Sequence, residues 1–97
     1  MKIIFRSSAA ADIKWFRQYY SIVFPAGDEN AKKHYRNMCS ALLTHPFIGH
    51  AIDPNLPARE LPIPRTPFSF IYYIKDEEII VLRVLDNRAE RPAIFPI

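Results

Sequence analysis

The stretch 59–88, RELPIPRTPFSFIYYIKDEEIIVLRVLDNR, decides the fold. It divides into three extended segments. Arg59 to Ile63 is short and closes at the Pro-rich corner Pro62-Ile63-Pro64-Arg65-Thr66-Pro67. Phe68 to Ile74 is aromatic and β-branched, and Ile79 to Leu85 is a second β-branched run. The polar turn Lys75-Asp76-Glu77-Glu78 between the last two predicts a hairpin. With Asp76 and Glu77 at its tip, one side pairs Ile74 with Ile79, Tyr72 with Val81 and Phe70 with Arg83. The other pairs Tyr73 with Ile80, Ile71 with Leu82 and Ser69 with Val84.

Both sides of this hairpin are apolar. A sheet with one wet face alternates apolar and polar residues, and this one does not. Helices of the same chain can cover one face. The other is expected to need a tail or a partner, or to stay open as an apolar patch.

Outward from the hairpin, Lys2 to Arg6 is a short apolar strand. Ser7 or Ser8 then offers a helix cap. Ile13, Phe16, Tyr20 and Val23 recur at helical spacing, and the helix stops before Pro25. Asp28 opens a second helix whose stripe is Ala31, His34 or Tyr35, Met38, Ala41 and Leu42, with Lys32, Lys33 and Arg36 opposite; Pro46 ends it. Residues 47–57 are a loop punctuated by Gly49, Pro54 and Pro57. The expectation is an α+β domain over residues 1–97 with the order β-α-α-β-β-β. A helical hairpin packs on one face of a small, mostly antiparallel sheet.

Ninety-seven residues suffice for one modest core. No apolar run reaches the ~18 residues that a membrane span requires, and the N-terminus lacks a signal-peptide pattern, so a cytoplasmic protein is expected. The lone Cys39 excludes an internal disulfide and reads as a small buried hydrophobe. His34, His45 and His50 have no metal-site spacing, and two glycines cannot build a phosphate loop, so neither metal nor cofactor is expected. The net charge is +3, and arginines concentrate in the strands and tail. Their forked guanidinium suits carboxylates.

The element order and the string Arg59-Glu60-Leu61-Pro62-Ile63, then 67–74 PFSFIYYI, then 79–85 IIVLRVL with Arg88, resemble the RelE/ParE superfamily of bacterial toxins. The run is similar to the ParE, plasmid-stabilisation branch. The resemblance covers nearly the whole chain. The ribonucleases of the RelE branch carry lysines on the second strand, an arginine early in the third, and an arginine and a tyrosine after the fourth. This chain has Glu60, Pro62 and Ser69 at the first three positions, and Ile94 or Phe95 in place of the tyrosine; only Arg88 matches. The catalytic set is thus largely missing, and no catalytic residue is expected.

The ParE resemblance implies a toxin that inhibits DNA gyrase by protein contact and so blocks replication. It also implies a cognate antitoxin with a DNA-binding dimerisation domain. The alternative implied function is a RelE-like, ribosome-dependent messenger-RNA endonuclease. The residues expected to meet the antitoxin or target are Arg59, Arg65, Phe70, Arg83, Arg88 and Arg91, with an acidic antitoxin segment supplying the countercharge.

Overall fold

The computed structural model describes residues 1–88. Strand β1 (Lys2–Phe5) leads into helix α1 (Ser7–Gln18) and helix α2 (Asp28–Thr44). Strands β2 (His50–Ala51), β3 (Arg59–Pro62), β4 (Phe68–Lys75) and β5 (Glu78–Asp86) follow. One five-stranded sheet has the order β1-β5-β4-β3-β2. β1 runs parallel to β5, and every other pairing is antiparallel. The anticipated element order holds, with β2 as an extra two-residue strand pairing with β3 in the loop after α2.

The helices cover one face. Beneath them lie Phe68, Phe70 and Tyr72 of β4 and Ile79, Val81 and Val84 of β5, packed against Phe16, Tyr20, Ala31 and Leu42. Aromatic edges lock the layers: Phe16 meets Phe68 with ring centroids 5.0 Å apart, and Tyr35 meets Phe70 at 5.3 Å. Each such buried ring contributes about 1.5–3 kcal/mol by removal from water, with a smaller geometric gain from edge contacts.

The hairpin register is as expected only near the turn. Ile74 pairs with Ile79, Tyr73 with Ile80 and Tyr72 with Val81. A bulge at Ile71/Tyr72 then shifts the strands by one residue. Ile71 now faces Arg83, Phe70 faces Val84, and Ser69 faces Leu85. The extra residue keeps Val84 on the helix-covered face and removes Arg83 from it, which an unbulged ladder would not do. The turn itself holds Asp76 at φ 52° and Glu77 at φ 62°. That is the two-residue turn whose twist matches paired strands, made here without the usual glycine or asparagine.

The second sheet face is covered in part, with Tyr73, Ile80 and Leu82 half-buried. Ile71 and Leu85 are buried there, with Ala58 buried beside them and Ile52 packed against the group. Large exposed apolar side chains include Ile22, Val23 and Phe24 at the tip between the helices, Leu43 in the last turn of α2, Phe47 and Ile48 beyond it, Trp15 on α1 and, marginally, Ile4 on β1. Val23 was expected in the core stripe. It is exposed because α1 continues as a π-helical turn, Tyr19–Val23, closed by Phe24 N–H to the Tyr19 carbonyl. The wider turn rotates Val23 outward while Tyr20 remains buried.

β1 ends at Phe5, so the far half of β5 lacks a strand neighbour on that side. Helix α1 supplies substitutes. Arg6 N–H donates to the Val81 carbonyl, Ser8 Oγ donates to the Leu82 carbonyl at 2.7 Å, and Asp12 Oδ2 accepts from the Val84 N–H at 2.9 Å. Neither Ser7 nor Ser8 caps the helix; Arg6 occupies the cap position without a side-chain capping bond. Ser8 is committed to an edge carbonyl instead. No helix among the described residues is long and apolar enough to cross a membrane.

Candidate functional site

The expected site residues do not form one surface. Arg83 is held inside the chain: its Nε and Nη2 donate to the two carboxylate oxygens of Asp12 at 2.6 and 2.9 Å. The Arg83 pKa is raised, chiefly by this hydrogen bond. A bidentate pair of this kind is strong and directional, so Arg83 positions α1 on β5. Phe70 is fully buried beneath the helices and Tyr35, out of reach of any partner. The two corrections have different causes. The bulge takes Arg83 off the helix-covered face, whereas Phe70 is buried because it alternates with Phe68 and Tyr72 on the face that the helices cover.

Arg88 is half committed. Its Nε and Nη2 donate to Asp86 at 2.9 and 2.7 Å, and its Nη1 donates to the Tyr19 hydroxyl at 2.8 Å. Half of its side chain remains exposed. Hydrogen bonding from Arg88 holds the Asp86 carboxyl below its ordinary range, against the opposing effect of burial. Arg59 donates to the Phe47 and Gly49 carbonyls at 3.2 and 2.7 Å and lies over the Phe47 ring. It ties down the loop after α2 rather than projecting from the sheet. The same loop is anchored by Tyr72, whose hydroxyl donates to the Pro46 carbonyl and accepts from Gly49 N–H. Burial raises the Tyr72 pKa, further favouring the protonated hydroxyl that any tyrosine carries near neutrality.

Arg65 is exposed. It holds φ 60° after Pro64, in a turn closed by Thr66 N–H to the Ile63 carbonyl. Pro followed by a residue of positive φ is the type II pattern, which prefers glycine at the second place. An arginine there is displayed at some conformational cost. Arg91 lies outside the described residues.

Three positions bear on chemistry. Glu60 is buried, with one carboxylate oxygen 3.5 Å from His50 Nε2. Pro62 ends β3 beside Ser69. Ser69 is fully buried and accepts from Asn87 Nδ2 at 2.8 Å.

Between α1 and α2 lies a groove that sequence reasoning missed. Its cavity is about 270 Å³, floored by Ile13, Phe16, Tyr20 and Tyr35 and rimmed by Arg17 and Arg36. Burial, and next the neighbouring Cys39, push the Tyr35 hydroxyl up to about 12. The signal was present: Arg36 belongs to a cationic helix face that reads as solvated, yet Tyr35 and Tyr20 border it.

The family model for the ParE toxin of the type II toxin–antitoxin system parDE matches residues 3–91. The chain belongs to the ParE toxin family. Among solved structures, it is similar to the chromosomal ParDE TA system from P. aeruginosa, with a TM-score of 0.65 and 25% identity over 87% of this chain and 92% of that one. No curated protein sequence matches it.

In this ParE-family chain the arginines therefore fall into two sets. Arg83, Arg59, in part Arg88, and Arg6, which donates to the Tyr73 hydroxyl at 2.8 Å, are engaged within the chain. Arg65, Arg17 and Arg36 remain at the surface without an acidic partner among the described residues. Each resolved pKa shift moves its group away from neutrality: tyrosines and Cys39 upward, Asp86 downward, Arg83 and Arg88 upward. General acid–base work favours the opposite direction, toward the operating pH.

Proposed function

We propose that this ParE-family chain inhibits DNA gyrase by protein–protein contact, and that a cognate antitoxin neutralises it. Membership of the toxin family fixes the class of system. The observation that favours gyrase over message cleavage is the state of the three strand positions. A buried carboxylate at Glu60, a proline at 62 and a sealed serine at 69 supply no cation to a phosphate in transit. Arg88, the one matching cation, is already paired with Asp86. Among the described residues, the surfaces open to a protein partner include Arg65 on its turn, Arg17 and Arg36 on the helices, the exposed half of Arg88, and the apolar residues around Phe24 and Phe47.

The test is a pair of assays with purified components. One measures gyrase supercoiling with and without this protein, and the other measures cleavage of ribosome-bound message. Loss of supercoiling with accumulation of linear DNA and intact message is the expected result. Codon-positioned cuts with gyrase unaffected would overturn it. Formation of a stoichiometric complex with a cognate antitoxin, with recovery of supercoiling, checks the second half.

A further inference from the structure

We infer that the outer face of the helix pair is a contact surface for the phosphate backbone of duplex DNA, carried by Lys14 and Arg17 on α1 and by Lys33 and Arg36 on α2. This goes beyond the protein contact proposed above. Only the choice of DNA over RNA rests on the gyrase reading, because DNA is the duplex that such a target holds.

The net charge of +3 is unevenly spread. Residues 1–49 hold seven lysines and arginines against three acids, and the remaining residues hold six against seven. The excess lies on the helices, where Lys14, Arg17, Lys32, Lys33 and Arg36 are all exposed. Of the three acids, Asp12 is gripped by Arg83, and Asp28 is held by Lys32 at 2.9 Å. Glu29 stands in the first turn of α2, at one end of the face. The hairpin turn on the sheet side carries Asp76, Glu77 and Glu78 instead. A polyanion is therefore drawn to the helix layer and repelled by the turn.

The cations also join up. Arg17, Lys32 and Arg36 border the groove between the helices. Lys32, Lys33 and Arg36 border a shallow polar depression of about 430 Å³ on α2. Lys32 and Arg36 belong to both, so one positive track crosses from α1 over α2. Lys14, three residues before Arg17, extends it along α1.

The company these cations keep favours phosphate over protein. Their exposed polar neighbours include Gln18, Asn30 and Asn37, whose amides can donate to phosphate oxygens. Protein interfaces are centred on aromatic anchors and are poor in lysine. A single strand would need exposed rings on which its bases stack. Tyr20 is buried, and Trp15 turns toward Asp86 of β5, with Nε1 3.5 Å from the carboxylate. What remains is a charged track without a stacking platform, which suits a duplex backbone read without regard to sequence.

The experiment titrates the full chain into a labelled DNA duplex of about 20 base pairs and mixed sequence, and follows anisotropy across a salt series. With about four phosphates neutralised, log affinity should fall against log salt with a slope of about −3 to −4. Arg17→Gln with Lys33→Gln and Arg36→Gln should weaken binding at low salt by about 10-fold or more and bring the slope to about −1. Lys2→Gln with Arg65→Gln and Lys75→Gln removes the same charge from the sheet side and should stay within about threefold of wild type. In the wild type, amide shifts induced by DNA should fall on α1 and α2, a measurement that needs no variant to fold. Equal weakening by the two triple variants, shifts confined to the strands, or no binding at low salt overturns the inference. Tighter binding to an RNA duplex of the same length, or to polyglutamate, also overturns it. None of these outcomes touches the gyrase reading, which the supercoiling assay decides separately. Binding with the expected pattern supports the track even where gyrase is unaffected.

Discussion

Arg83 on β5 and Arg17 on α1 carry the same guanidinium into opposite settings. Arg83 stands in a strand between Leu82 and Val84, partly buried, and is gripped by both oxygens of Asp12. Arg17 stands on an exposed helix face beside an aromatic groove and holds no carboxylate among the described residues. A cation in an apolar strand must bring its countercharge or lose more in desolvation than folding returns. A cation on a helix surface has water and needs nothing. Charge density along the sequence is thus a poor guide to charge available for a partner. In this molecule the arginines within the strands are engaged by the chain itself, and the unpaired ones stand on the helices and on the Arg65 turn.

The strongest way to break that contrast is Asp12→Ala. It strands Arg83 in its partly buried position and leaves the Val84 N–H without its acceptor. A loss of about 2–4 kcal/mol in urea unfolding is expected. For a domain whose total stability is roughly 5–15 kcal/mol, that is a large share. A loss below about 1 kcal/mol would place Arg83 with ordinary surface pairs and dissolve the distinction.

Gly49→Ala probes the intermediate case, Arg59, whose partners are backbone carbonyls. A Cβ at position 49 would lie 2.8 Å from the Tyr72 ring edge and hydroxyl and 2.9 Å from the Glu60 carbonyl. The ring and a sheet backbone cannot both withdraw, so a loss of about 1–3 kcal/mol is expected in thermal or urea melts. The loop carrying the Phe47 and Gly49 carbonyls should loosen with it, seen as faster amide exchange over 46–50. Normal stability would show that the loop is already adaptable and that Arg59 is free to project.

Much of this scaffold was legible from residues alone. The hairpin turn, the helix pair and the core stripe through Phe16, Tyr20, Ala31 and Leu42 follow from period and punctuation. The bulge at Ile71/Tyr72 did not. Register is specified by an apolar–polar alternation, and a strand apolar on both sides gives the same pattern in either register. From that gap came the error over Arg83, while Phe70 was misjudged because nothing in a strand apolar on both sides says which face the helices cover. The pairing of Arg83 with Asp12 spans 71 positions and joins a helix to a strand edge, which no local spacing encodes. β2 was missed because two residues between Gly49 and Pro54 carry too little propensity to stand out. The groove was missed because its floor and rim belong to two helices read separately, each with an ordinary solvated face.

Asp86→Asn gives a smaller effect with a pH signature. Arg88 depresses the folded pKa of Asp86, so this part of the stability is complete above the unfolded value of about 4 and is lost as pH falls through the depressed folded value. The exposed half of Arg88 weakens the pair by solvent screening. The variant should lose about 1 kcal/mol at neutral pH, and its stability should fall less than that of the wild type on acidification below about pH 4. Parallel acid limbs for the two proteins would mean that Arg88 does not hold Asp86 in solution.

The least costly change should be the double substitution Arg17→Ala with Arg36→Ala. Neither side chain closes a hydrogen bond or an ion pair among the described residues, and both face water. Removing them deletes no buried contact partner of the core, and it relieves repulsion around Lys32 and Lys33 in a protein of net charge +3. Stability should stay within about 0.5 kcal/mol of wild type, with a slight gain at low salt more natural than a loss. That near-silence is the sharpest form of the contrast with Asp12→Ala. A loss of 2 kcal/mol or more would mean that these cations, like Arg83, hold the fold together. The helix layer would then have no charge to spare, and the distinction between the two sets of arginines would fail at its second term.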